Sequence, residues 1–290
     1  MHWPPTATAC CMPSAVSEAL DVLPPVQLGE LGYSLCIQIG DRLGKAENTR
    51  AEAVSYYDRA ASIAQQLARF TKARKTLLYA RAASRAGRAV TEIGDRASGL
   101  KRINEALALL PEEPVPGDPD AAAARAEVLA DLASALAEAG RAGDAQTRQK
   151  EAVTILRRLA ASATEHSQWL GEALLRLGDV QRAAGRHAQA AATLEEALAC
   201  SEALRESQEA KPFATPLVAE ASASLVQALR SAGRKRKADT LLGKMVEQRA
   251  LDQAARVGHD GARSILRVTE RAGSRGMVPA SPTRSNRPSG

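Results

Sequence analysis

Three arginines form the pattern in this sequence with the clearest chemical potential. Arg81, Arg85 and Arg88 lie at positions i, i+4 and i+7, which places all three on one face of a helix. A guanidinium offers a planar fork of N–H donors that can engage a carboxylate or a phosphate through two parallel hydrogen bonds. The spacing therefore predicts a site for an acidic ligand or, in the plainer interpretation, a solvated helix face.

Motifs typical of enzymes and metal sites are missing from the chain. It contains no glycine-rich phosphate loop, no Gly-x-Ser-x-Gly elbow and no His-Glu-x-x-His sequence. None of the histidines is paired with a second ligand at metal spacing, and the four cysteines form no Cys-x-x-Cys pair. We therefore expect no catalysis, no cofactor and no metal site.

An internal repeat indicates the elements that position these residues. Residues 129–145, 174–190 and 222–238 share small or apolar residues at three- and four-residue steps, then a glycine, then an alanine five residues later. A period of 3.6 residues puts the apolar positions on one helix face, and glycine supplies the left-handed residue that ends a helix. Each segment predicts a helix, a glycine turn and the start of a second helix.

Two more copies extend the pattern towards the N-terminus, one over residues 83–111 and a fainter one from about residue 31 to residue 70. The equivalent turn points are Asn48, Gly94, Gly140, Gly185 and Gly233, which are separated by 46, 46, 45 and 48 residues.

Aromatic residues make up only 3% of the 290 residues. This alanine-rich, aromatic-poor composition favours helices and excludes an all-β fold.

The copies resemble the tetratricopeptide repeat (TPR), in a long-period form similar to the repeats of kinesin light chains and of bacterial repeat arrays. The family pattern is matched best by Leu174, Leu177, Gly178, Ala190, Leu194 and Ala197, and by Ala83, Gly87, Val90, Ile103, Ala106 and Pro111. The resemblance implies an all-α solenoid, a right-handed superhelix of about five helical hairpins, that binds a protein or peptide. Because similar bacterial arrays accompany regulatory ATPases, it also implies a sensor part of a regulatory system.

Breaker residues suggest the boundaries. Residues 111–119 are rich in proline and predict a loop, and the Gly, Ser, Pro and Arg residues after position 272 favour disorder. We expect an irregular lead over residues 1–30, hairpins over 31–70, 71–110, 119–162, 166–207 and 213–257, a capping helix over 258–272 and a disordered tail over 273–290.

The resemblance also implies which residues face a partner, because the first helix of each TPR hairpin lines the concave groove. Polar first-helix residues that point away from the apolar stripe give a groove of mixed charge with a basic N-terminal end. The candidates are Arg42, Arg81, Arg85, Arg88, Arg176, Asp179, Arg182, Gln227 and Arg230. Lys45, Glu127, Asp131 and Glu172 share this register, whereas Trp169 is interpreted as a core or interface residue.

Positive charge is concentrated at the C-terminal end. Residues 230–290 carry 14 basic and 5 acidic side chains, whereas the rest of the chain carries 25 and 28. Arg234, Lys235, Arg236 and Lys237 form a basic patch in the last predicted turn, which allows an alternative function as a nucleic-acid-associated regulator. The missing aromatic residues favour a solubilising role for this end instead.

Cysteine usage and hydropathy indicate the compartment. The four cysteines do not show the spacing of a disulfide framework, which is typical of a protein in a reducing environment. No apolar run approaches the roughly 18 to 20 residues that cross a bilayer. We therefore expect a cytoplasmic protein that has no membrane partner.

Overall fold

The computed structural model describes residues 25–67, 70–112, 118–162, 166–206 and 211–257, and within these ranges the regular elements are all helices. The chain divides into two compact units, residues 1–228 and 229–290. The helices are α1 (Pro25–Leu43), α2 (Arg50–Gln66), α3 (Lys72–Glu92), α4 (Arg96–Ala108), α5 (Pro119–Glu138), α6 (Ala142–Ser162), α7 (Ser167–Ala183), α8 (His187–Arg205), α9 (Lys211–Ser231) and α10 (Lys235–Val257).

Local sequence sets several helix starts. The side chains of Thr71, Asp95 and Asp118 each accept a hydrogen bond from the backbone N–H three residues later, which satisfies a donor that the first turn leaves free. Pro119 then occupies the first turn of α5, where its missing N–H costs nothing. These caps fix where α3, α4 and α5 begin.

Glycine turns end the first helix of successive hairpins, as the repeat predicts. Gly94, Gly140, Gly185 and Gly233 all have positive φ angles, of 112°, 76°, 73° and 77°. At three of these turns the residue after glycine donates its N–H to the carbonyl five residues earlier, as in Arg141 to Leu136 at 2.8 Å. This bond closes a Schellman motif, whose left-handed residue is disfavoured for any side chain with a Cβ.

The first hairpin turns differently. Asn48 lies in a 3₁₀ turn, Glu47–Thr49, and no residue other than glycine has a positive φ in the part of the chain that the structure describes. Thr49 Oγ1 donates a 2.6 Å hydrogen bond to the carbonyl of Leu43, so a side chain here satisfies the end of α1. Helix α1 also begins at Pro25, inside the lead predicted to be irregular through residue 30, and it is kinked at Gly29.

Alanine-rich packing joins the hairpins of residues 1–228. Each helix from α1 to α7 packs on the next in sequence, and α3 also packs on α5. Leu77, Ile103, Val128 and Leu132 belong to one continuous buried cluster that extends from α3 to α6. Because alanine has a short side chain, the backbones approach closely and neighbouring first helices lie within reach of each other's polar groups.

The α3–α4 crossing brings two backbones into close contact. A Cβ added to Gly99 would lie 2.5 Å from the carbonyl oxygen of Gly87 and 2.8 Å from the backbone nitrogen of Thr91. Since both neighbours are backbone atoms, the helices would have to separate to accept it. The predicted capping helix over 258–272, the tail over 273–290 and the lead before residue 25 lie outside the described residues.

We predict that Gly99→Ala lowers the free energy of unfolding by about 1 to 3 kcal/mol, because it overpacks this crossing. Gly143→Ala is the matched control, since a Cβ there meets nothing within 4 Å. It should leave stability unchanged or raise it by up to about 1 kcal/mol through helix propensity. Urea unfolding followed by circular dichroism measures both, and equal stabilities for the two variants would contradict the close crossing.

Candidate functional site

Arginines of α3 meet carboxylates of α5. Arg81 Nη2 lies 3.0 Å from Glu127 Oε1, and Arg85 Nη2 lies 3.3 Å from Glu127 Oε2, so each carboxylate oxygen serves one guanidinium. Arg81 and Glu127 are 46 residues apart, which is one repeat. Neighbouring first helices therefore carry opposite charges at equivalent positions.

A second carboxylate of α5 lies one turn further along. Asp131 is 6% exposed, accepts a 2.8 Å hydrogen bond from Ser84 Oγ and lies 3.6 Å from Arg88 Nη1. Arg88 also pairs with Glu92 on its own helix at 3.7 Å. Ser84 and Arg88 thus both contact the buried carboxylate of Asp131 and supply it with polar partners.

Helices α1 and α2 complete the arrangement. Asp41 Oδ1 accepts a 2.9 Å hydrogen bond from the hydroxyl of Tyr57 and lies 3.5 Å from Arg85 Nε. Arg50 Nε lies 3.4 Å from Glu92 Oε2. We call these eight charged residues the ion-pair layer: Arg50, Arg81, Arg85, Arg88, Asp41, Glu92, Glu127 and Asp131.

Burial and pairing together shift the pKa values of Arg85 and Arg88 in the layer and of Tyr57 beside it. Burial lowers the pKa of Arg85, but the carboxylates of Glu127, Asp131 and Asp41 outweigh it and raise that pKa above its ordinary value. Asp131 raises the pKa of Arg88 by more than burial lowers it. Burial raises the pKa of Tyr57, and Asp41 raises it further. Both guanidinium groups therefore stay charged and the Tyr57 hydroxyl stays a donor at neutral pH.

A polar cavity of about 560 Å³ opens over the layer. Its floor includes Ala126, Ala130 and Ala173, and its walls come from the ends of α1 and α2 and from α3, α5, α6 and α7. Besides seven residues of the ion-pair layer, its charged and aromatic lining is Lys45, Trp169, Glu172 and Arg176.

Helix α7 contributes an aromatic side chain and two charged side chains to the cavity. Trp169, Glu172 and Arg176 lie at i, i+3 and i+7 and so share one helix face. Trp169 is 36% exposed and stacks at a tilt on His166, with 5.2 Å between ring centroids. Glu172 accepts a 3.1 Å hydrogen bond from Gln168. Within the described ranges, the side chains of Lys45 and Arg176 have no hydrogen-bond or ion-pair partner.

The structure gathers only some of the nine predicted groove residues. Arg85, Arg88 and Arg176 line the cavity, and Arg81 pairs with its wall. Arg81, Arg85 and Arg88 are mostly buried and bind carboxylates of this chain, so they form neither a solvated face nor an open anion site. Arg42 and Gln227 are exposed, Asp179 pairs with Arg182 at 3.3 Å, and Arg230 pairs with Asp239 at 3.2 Å.

Sequence reasoning missed other residues of the site. Trp169 was expected in a core or an interface, yet it lines the cavity. Its spacing from Glu172 and Arg176, both assigned to the polar face of α7, is the signal that could have found it. Glu92 lies four residues after Arg88 and could have been found in the same way, whereas Asp41 comes from another repeat and leaves no local signal.

The predicted basic patch lies in the second unit. Arg234, Lys235, Arg236 and Lys237 are all exposed, and the last three form the first turn of α10. Residues 229–257 contain no Trp, Tyr or Phe on which a base could stack.

Among the described residues, no three His, Cys, Asp or Glu residues are grouped so that they could hold a metal ion. None of the helices in the described part of the chain is both long and apolar enough to span a membrane.

Solved structures that are similar in fold include TPR-like repeat proteins. BtubC from P. vanneervenii is 17% identical, with 94% of each chain covered and a TM-score of 0.51. A kinesin light chain with TPR-like repeats from P. anserina is 17% identical over 86% of this chain and 99% of the other, with a TM-score of 0.50. The chain therefore has a TPR-like α-solenoid fold, as the repeat predicts.

A third solved structure is a Rap protein complexed with Competence and Sporulation Factor. It is 16% identical with a TM-score of 0.56, and the match covers 81% of this chain but only 57% of the Rap chain. No protein-family model matches this sequence, and no curated protein matches it.

We predict that Glu127→Gln lowers the free energy of unfolding by about 2 to 4 kcal/mol, because Arg81 and Arg85 both lose a largely buried partner. Glu196→Gln is the matched control, since Glu196 pairs with Arg157 through two hydrogen bonds while both side chains are more than two-fifths exposed, at 43% and 51%. It should cost less than about 1 kcal/mol. Chemical denaturation compares the two, and similar losses would show that the layer contributes no more than a surface pair.

Proposed function

We propose that this chain binds a protein or peptide segment in the polar cavity and carries out no chemistry of its own. The observation that carries the proposal is the exposure of Trp169 on the cavity wall, beside the unpartnered charges of Lys45 and Arg176. Tryptophan and arginine are the residue types that dominate protein-binding energies when a partner removes them from water.

The ion-pair layer supports this proposal because it holds the cavity wall in one shape. Arg85 joins α1, α3 and α5 through its contacts with Asp41 and Glu127, so three first helices are fixed before any ligand arrives. A wall that is already ordered binds at a lower entropic cost than a wall that must order on binding.

The fold comparison is consistent with this function. One solved structure of the same fold, the Rap protein, is complexed with Competence and Sporulation Factor. We extend the proposal to a sensor part of a bacterial regulatory system, as the sequence resemblance implies. In such a system, occupancy of the cavity would change the affinity of the chain for an effector.

The alternative function, a nucleic-acid-associated regulator, depends on Arg234, Lys235, Arg236 and Lys237 in the second unit. Their exposure supports electrostatic contact with phosphates, and the absence of aromatic residues from 229–257 argues against stacking on bases. The cavity has both an aromatic wall and unpartnered charges, so protein binding is the function we propose.

We predict that selection of random dodecapeptides on the purified chain yields ligands that Trp169→Ala binds at least about tenfold more weakly, because the main aromatic contact is lost. Ile93→Ala is the matched control, since Ile93 is 50% exposed and lies outside the cavity lining. Isothermal titration measures the affinities. A selection without enriched peptides, or ligands that Trp169→Ala binds as tightly as the wild type, would overturn the proposal.

A further inference from the structure

The charges that line the cavity divide into those that this chain neutralises itself and those that it does not. The ion-pair layer contains four arginines and four carboxylates, each of which lies within 4 Å of an opposite charge in the layer. Outside the layer the lining adds Lys45, Arg176 and Glu172. The unneutralised part of the cavity therefore carries two positive charges and one negative charge.

From this division we propose that the cavity selects an acidic peptide segment, with a ligand carboxylate on Arg176 and an apolar ligand side chain on Trp169. The inference rests on the proposed function and names the chemistry of its ligand. Arg176 has its guanidinium donors free for a carboxylate, and Lys45 adds a second cation to the same lining.

The arginines of the layer are unsuited to this role. Arg81, Arg85 and Arg88 already bind Glu127 and Asp131, which are largely buried. A ligand that took one of these guanidinium groups would leave a buried carboxylate without its partner, and such an uncompensated charge is strongly unfavourable. Ligand carboxylates should therefore go to Arg176 and Lys45, although the α3 arginines look more prominent in the sequence.

Helix geometry sets the spacing that a ligand must match. Trp169 and Arg176 are seven residues apart on α7, which corresponds to about 10 Å along the helix axis at about 1.5 Å per residue. An extended peptide covers that distance in about three residues, at about 3.3 to 3.6 Å each. The preferred ligand therefore places an acidic residue about three positions from an apolar one.

Glu172 makes the cavity select against peptides whose acidic residue lies too close to the apolar one. It lies between Trp169 and Arg176 on the same face of α7, and its hydrogen bond comes from the neutral side chain of Gln168. A ligand carboxylate directly beside the apolar anchor would face this negative charge. The cavity therefore disfavours acidic residues next to the anchor while it favours one further along.

The test uses the full chain and the dodecapeptides selected on it. We expect an excess of Asp and Glu over Lys and Arg in the enriched peptides, with an acidic residue about three positions from an apolar one. The probe is then the tightest of these peptides, compared with the same peptide carrying Gln in place of that acidic residue. The wild-type chain should bind the Gln peptide about tenfold more weakly.

Variants of the chain assign the effect to one contact. Arg176→Gln should lower the affinity of the chain for the acidic peptide about tenfold but leave its affinity for the Gln peptide unchanged. The substitution in the chain and the substitution in the peptide each remove the same interaction, so their effects do not add. Arg176→Lys should retain part of the affinity, since it keeps the charge and loses the planar fork. Lys150→Gln is the matched control: it removes one exposed positive charge on α6, outside the cavity lining, and should change neither affinity.

The possible results separate the two proposals. Peptides that depend on Trp169 but are neutral or basic, or that Arg176→Gln binds normally, would overturn the acidic preference and leave peptide binding in the cavity intact. A selection that enriches no peptide would overturn both. An affinity lost equally in Arg176→Gln and Lys150→Gln would also overturn the inference, because it would reflect net charge and not a contact in the cavity.

Discussion

The buried charge of Arg85 is the constraint on which the cavity depends. Taking a guanidinium out of water costs several kcal/mol, and this cost is offset only where carboxylates lie at close range. Arg85 obtains them from two other helices, Asp41 at the end of α1 and Glu127 on α5. Because all three helices must be in place for the charge to be compensated, the ion-pair layer favours one packing of the first helices over the looser ones that alanine contacts alone would allow.

The repeat period explains how such pairs arise. Arg81 and Glu127 occupy equivalent positions one period of 46 residues apart, and so do Arg74 and Asp120, which also form an ion pair. In a stacked solenoid, equivalent positions of successive repeats face each other. An arginine in one repeat and a carboxylate at the equivalent position of the next repeat therefore form an ion pair between neighbouring hairpins. The apolar stripe holds the hairpins together, and the charged positions beside it set their register.

Local signals in the sequence predicted much of the fold. The turns at Gly94, Gly140, Gly185 and Gly233 followed from a residue type that tolerates positive φ, and their spacing indicated the hairpins. The start of α1 and the 3₁₀ turn at Asn48 did not follow, because neither carries the repeated glycine and Thr49 satisfies the end of α1 with its side chain. For the site, helical spacing placed Arg176 on the polar face, but the partner of each α3 arginine depends on how separate repeats pack. No local pattern records that packing.

On the cavity wall, the residues that hold the helices together differ from the α7 residues proposed to contact a ligand, and this separation affects how the protein can evolve. Charges that hold the helices together, such as Arg85 and Asp131, are constrained by the ion pairs that they form between helices, so most replacements there endanger the fold. Within the described ranges Arg176 has no such partner, and Trp169 is partly exposed, so exchanges at these positions of α7 cost less stability than exchanges in the ion-pair layer. A lineage could therefore change its ligand by altering α7 while the other first helices stay the same, and relatives with one scaffold could diverge to serve different partners.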